Sequence, residues 1–203
     1  IGTFGIITTG DNLGEILAYG DDGVDFNSNA NASAAIIFDS AGTIAADRIA
    51  GTILLQTATD AAPSVLTTAV TINQAQNVTF AGSALSTHAT KGVGYATGAG
   101  GAVTQGTSKS TGVTLNTVTG AITMNGAALA ASALVSFVVT NSAVGVNDVV
   151  MVSHASAGTL GVYRVSTDTI TAGAFSISVF NQNGTSLSEA IVLSFAVLKG
   201  VQA

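Results

Sequence analysis

The chain has 203 residues, of which 47% are apolar and only 8% charged, with a formal net charge of −6 and no cysteine. Its strong cations, Arg48, Lys91, Lys109, Arg164 and Lys199, are scattered, which argues against nucleic acid as a partner. Disulfides and thiolate metal sites are excluded, and no run approaches the roughly 18 consecutive apolar residues of a membrane span.

The polar residues are mainly Thr, Ser, Asn, Gln and Gly, with little Lys or Glu. The former are poor helix formers, so an all-β fold is expected. Residues 1–87 contain short apolar runs, GIITT, EILAY, AAIIFD, GTILLQT, AVTI and NVTFAG, separated by loops as long as the strands. Large apolar side chains are sparse here, and a single copy would struggle to offset its chain entropy by burial. The region is therefore expected to need partners, most simply identical copies of itself.

Residues 88–110 include the glycine-rich stretch GVGYATGAGGAVTQGTS and read as a linker or crossover. Residues 111–203 are denser. GVTLNTVTGAITMNG reads as a hairpin turning near Thr119-Gly120, and Ala127–Leu134 as either a turn of helix or the start of a strand. LVSFVVTN, DVVMVSH and VYRVSTD supply further strands. In AFSISVFN, Phe175, Ile177 and Val179 alternate with Ser176 and Ser178, the period of a half-buried strand. In EAIVLSFAVLKG, Ile191, Leu193, Phe195 and Val197 share one face, and the other is apolar enough to be partly covered. Strands at this density predict a β-sandwich, jelly-roll-like.

Candidate chemistry is sparse. Asp21, Asp22, Asp25 and Asn27 are closely spaced oxygen donors of the kind a hard cation accepts, but Gly23 and Ala32 stand where an EF-hand needs ligands. A turn is the preferred reading. His154 ends a strand and is expected to be a hydrogen-bonded structural residue; the rival is a metal held by three copies on a symmetry axis. His88 is the other histidine. Among the acids of the C-terminal region, Asp148 and Glu189 sit at strand starts and read as structural, beside Asp168. A glycosidase needs two opposed carboxyls, which only acids from different chains would supply here. Ser108-Lys109 fails the phosphate-loop pattern. The sequons at Asn31, Asn77 and Asn183 matter only in a eukaryotic secretory setting.

The block Gly10-Asp11, Leu13-Gly14, Ile16, Tyr19-Gly20, Asp22-Gly23, Asp25-Phe26, followed by Ala50-Gly51 to Thr57 and Val70 to Phe80, resembles a repeat-like segment of the distal part of bacteriophage tail fibres. GYATGAGGAVTQGTSKSTGVTLNTVTGAITMN, with the ending SLSEAIVLSFAVLKG, resembles a C-terminal module of phage structural proteins. The resemblance implies a homotrimer: an intertwined β shaft (residues 1–87) and a sandwich tip (residues 111–203). It also implies a place on the virion, in a tail fibre or tail spike, with other tail or capsid proteins as neighbours and a host surface glycan or protein as receptor. A self-cleaving chaperone domain ends many such fibres; here the sequence runs to Gln202-Ala203 without that pattern, so the expectation is either its removal or trimer nucleation by the sandwich. No signal peptide pattern opens at Ile1, and a first residue other than Met fits a trimmed or partial chain.

On this reading the protein is a structural and binding protein rather than an enzyme, without cofactor. The alternatives are a capsid head fibre or decoration protein, and a polysaccharide depolymerase with an active site between chains. Sugars offer an apolar face to tyrosine and hydroxyls to polar side chains, so Tyr95, Tyr163, Arg164, Asn181 and Asn183 are the receptor-binding candidates.

Overall fold

A computed structural model describes residues 7–20, 32–60 and 64–201. Among them are thirteen β-strands and no helix, as a polar surface built on Thr, Ser and Asn dictates. The chain divides into two units, residues 1–93 and 94–203.

The first unit is one antiparallel meander of five strands in sequential order. Its strands are β1 (Asn12–Tyr19), β2 (Ala32–Ala45), β3 (Arg48–Ala58), β4 (Leu66–Ile72) and β5 (Val78–Phe80). Each predicted apolar run from EILAY onward became a strand; in GIITT, Ile7 to Thr9 lie outside one. The β2–β3 turn places Asp47 at φ 58°, a left-handed backbone that Asp tolerates better than most residues. At the β4–β5 turn the Asn73 Oδ1 accepts from the backbone N–H groups of Ala75 (3.0 Å) and Asn77 (3.1 Å), the Asx-type bond that makes Asn a turn residue.

Pairing aligns the apolar residues into rows. Ile16 lies opposite Ile36, Ile36 opposite Leu55, Leu55 opposite Val70 and Val70 opposite Phe80. The adjacent row runs Gly14, Phe38, Ile53, Ile72, Val78. Both rows share one face, because side chains alternate along each strand. The opposite face mixes Glu15, Gln56, Thr71 and Thr79 with Ile37 and Leu54.

The second unit is a sandwich of two four-stranded sheets. Its strands are β6 (Gly100–Thr104), β7 (Val113–Thr114), β8 (Thr119–Thr123), β9 (Leu134–Thr140), β10 (Val149–Ser156), β11 (Tyr163–Thr171), β12 (Ala174–Asn181) and β13 (Val192–Leu198). One sheet has the order β10-β13-β8-β6, the other β11-β12-β9-β7. The predicted alternations hold: Phe175, Ile177 and Val179 face Ile191, Leu193, Phe195 and Val197 in one buried core. The Phe175 and Phe195 rings meet at 5.3 Å across it.

Three expectations are corrected. First, residues 100–104 of the supposed linker are strand β6, paired in parallel with β8. The pairing is close enough to need glycine: a Cβ on Gly120 would lie 2.9 Å from the Gly101 carbonyl and 2.7 Å from Leu115 Cδ2. Second, β7 and β8 are not a hairpin. β7 pairs in parallel with β9 of one sheet, whereas β8 pairs antiparallel with β13 of the other, so the intervening residues cross from sheet to sheet while the Leu115 side chain packs inward over the glycines. Third, with the edge pairs β6–β8 and β7–β9 both parallel, the sandwich is mixed and not the wholly antiparallel arrangement of a jelly roll. Residues 127–134 form no helix; Leu129 bridges Leu187 and Ser132 turns the chain at φ 54°.

Candidate functional site

Three polar side chains at one end of the sandwich, Thr159, Tyr163 and Lys109, converge on Glu189. Its carboxylate accepts from the Thr159 backbone N–H (3.1 Å), the Thr159 hydroxyl (2.7 Å) and the Tyr163 hydroxyl (2.8 Å). The Thr159 hydroxyl does most to hold the Glu189 carboxyl below the usual carboxylate range. Burial, and then Glu189, pushes the Tyr163 phenol well above its ordinary value. Lys109, only 4% exposed, donates its ammonium to the carbonyls of Asn125 and Glu189; burial lowers its pKa against the pull of Glu189. The cluster anchors the loop at Ala157 and Gly158, both in left-handed backbone, to the strand entering the core at Ile191. Its donors are spent on protein acceptors, which makes it a brace.

Two predicted binding residues belong to this interior. Tyr163 is 7% exposed and faces inward, its ring edge-on to His154 at 5.8 Å. Asn181 is fully buried, its Nδ2 directed at the carbonyls of Leu129, Ala130 and Thr185, each at 3.0 Å. Strand alternation put both on the core side, and a buried Asn must spend its amide on backbone. The Asn181 Oδ1 in turn accepts from the half-buried Asn183 N–H. Tyr95 is exposed along its ring, while its hydroxyl donates to the Val197 carbonyl.

The Nε2 of His154 faces the carbonyls of Ala157 (2.7 Å) and Ser156 (3.1 Å), so this nitrogen carries the proton and donates. No group of three or more His, Asp or Glu residues suited to a metal occurs among the described residues. Asp21, Asp22, Asp25 and Asn27 lie outside them. His88 is exposed and accepts at Nδ1 from the Thr90 N–H.

The outer face of the β11-β12-β9 sheet is different. Arg164, Phe180 and Leu134 form one cross-strand row, and Ser166, Ser178 and Ser136 the next. The Arg164 guanidinium lies 5.8 Å over the Phe180 ring. The serine row is hydrogen-bonded: Ser136 meets Ser178, and Ser178 donates to Asp168, which also accepts from Ser166 at 3.1 Å. Leu134, Arg164, Ser166 and Phe180 line an open depression of about 510 Å³. Arg164 was a candidate in the sequence alongside Tyr163, with no face assigned to either; Phe180, Leu134 and the serines were not, because they come from strands distant in sequence.

The other outer surface carries no charge. Val149, Met151 and Ser153 of β10 adjoin Leu198, Ala196 and Ser194 of β13, and Thr119, Ala121 and Thr123 of β8 follow. Met151 is 58% exposed there. In the first unit, Ile16 is 61% and Phe80 52% exposed at the two ends of the longer apolar row. These are sheet faces with the composition of interfaces, and among the described residues no second layer of their own unit covers them. No protein-family model matches the chain, and no curated protein is similar to it in sequence.

Proposed function

We propose that the chain is a virion component of a bacteriophage: a homotrimeric tail fibre or spike that holds the particle to the host cell surface. The observation that supports this most is the five-stranded sheet with one uninterrupted apolar face, from Ile16 across to Phe80. A domain needs two packed layers around its core, and a lone sheet leaves such a face in water. Nine large apolar residues already part-covered would add roughly 1 kcal/mol each on full burial. Their sum is of the order of the whole stability of a small domain. An apolar surface without charge is complementary to itself, so copies of the same chain are the simplest cover.

The uncharged outer face of the β10-β13-β8-β6 sheet supports the same reading for the sandwich. Attachment then works by avidity: several modest sites on one rigid assembly hold a cell that no single site would. The acids of the sandwich fit a structural role, since Asp148 is paired with Lys199 and Glu189 is saturated by three donors.

The test is the molar mass of the purified chain by light scattering without denaturant. Three times 19.9 kDa is expected. A monomeric mass would overturn the fibre reading and the avidity mechanism together.

A further inference from the structure

Arg164 stands apart from the other cations of the sandwich. Lys199 is paired with Asp148, and Lys109 is buried with its ammonium on two carbonyls. Arg164 is exposed, and among the described residues no carboxylate lies within ion-pair distance of it. Its guanidinium carbon lies 5.8 Å from the centre of the Phe180 ring, and among the described residues no hydrogen-bond acceptor occupies its N–H groups.

Around it the face offers what a sugar ring needs. Phe180 and Leu134 present apolar surface, and the exposed Ser166 of the next row presents its hydroxyl, while Ser178 is buried beneath with its hydroxyl bonded to Ser136 and Asp168. The depression of about 510 Å³ has room for one or two sugar residues and lies open to the solvent at its side. A guanidinium fork matches a carboxylate with two parallel hydrogen bonds, a geometry a neutral hydroxyl cannot reproduce. Asp168 is already occupied by Ser166 and Ser178, so it fixes the serine row and orients its hydroxyls.

We propose that the outer face of β11, β12 and β9 binds an acidic sugar residue of a surface polysaccharide, its carboxylate on Arg164 and its ring against Phe180 and Leu134. This rests on the attachment reading and names the class of receptor. It also accounts for a cation with no carboxylate partner among the described residues, on a chain of net charge −6. The rival is structural: Arg164 merely shields the Phe180 ring from water.

The experiment is isothermal titration of the full chain with a glucuronic acid tetrasaccharide and, separately, with a neutral glucose tetrasaccharide. Binding of the acidic sugar only, weakened by salt, is expected. Arg164→Gln should weaken it by about tenfold or more, the scale of a lost charge-assisted hydrogen-bond pair. Arg164→Lys should lose most of that too, because an ammonium lacks the fork. Phe180→Leu, which keeps apolar volume without the ring, should weaken binding several-fold. Molar mass and melting temperature of Arg164→Gln should match the parent. Equal binding of both sugars, no binding of the acidic one, or full binding by Arg164→Gln would overturn the proposal. A lowered melting temperature with unchanged affinity would assign Arg164 to shielding. Loss of this site with a threefold mass intact leaves the fibre reading standing, and a monomeric mass removes that reading whatever the sugar does.

Discussion

Asp148 shows how much a single side chain organises at the rim of the sandwich. Its carboxylate accepts from the Gly145 N–H (2.7 Å), the Gly200 N–H (3.1 Å) and the Lys199 ammonium. The Gly145 bond, and after it Lys199, pulls the carboxyl down to about 2. A folded-state pKa below the unfolded one means the unfolded chain binds more protons in between, so stability falls as the pH is lowered toward 2. Acid titration of unfolding should show this loss below about pH 5, and Asp148→Asn should flatten it without abolishing it, since Glu189 is shifted the same way. An unchanged slope in Asp148→Asn would deny the carboxylate this role. At the residue scale the sequence reading of Asp148 and Glu189 as structural agrees with their bonding, because an acid at a strand start meets free N–H groups. It could not separate Tyr163 from Arg164. Adjacent residues of a strand point to opposite faces, and which face is the core depends on the partner sheet.

At the scale of the element, the five-stranded sheet carries the argument for assembly. Its pairing register, not its composition, turns scattered Ile, Phe, Leu and Val into two continuous rows. Leu55 sits mid-row, between Ile36 and Val70. Leu55→Lys should leave the strand intact, since the side chain is part-exposed in the single chain, yet lower the molar mass seen by light scattering. Thr71→Lys, on the mixed face, should leave the mass unchanged. Equal behaviour of the two would mean that the apolar face is not the interface. The strands themselves were legible as alternating runs bounded by turn residues. The failure at Thr119-Gly120 has a physical cause: a short Thr-Gly stretch looks like a hairpin turn, but Leu115 fills the space left by Gly101 and Gly120 and carries the chain across the core.

At the scale of the whole molecule, the two units differ in how they reach stability. The sandwich has a core of its own, with Phe175, Ile177, Leu193 and Phe195 almost wholly removed from water. Among the described residues the meander has no comparable core within its own unit. On the proposed assembly, in which other copies complete the first unit, stability is gained by mass action, so the melting temperature should rise with protein concentration. Differential scanning calorimetry over a hundredfold range of concentration tests this, and a melting temperature independent of concentration would count against assembly-coupled folding.

The sequence by itself determined that the protein is all-β, that the apolar runs from EILAY to NVTFAG become strands, and which side chains of β12 and β13 form the core. These follow from local propensity and a period of two, both of which act within a few residues. The tertiary structure decided the rest: the parallel edge pairs, the burial of Lys109 and Asn181, and the meeting of Arg164 with Phe180, Leu134 and a row of serines. Each of those depends on strands distant along the chain coming into register, and register is a property of pairs of strands, which no single stretch of sequence contains.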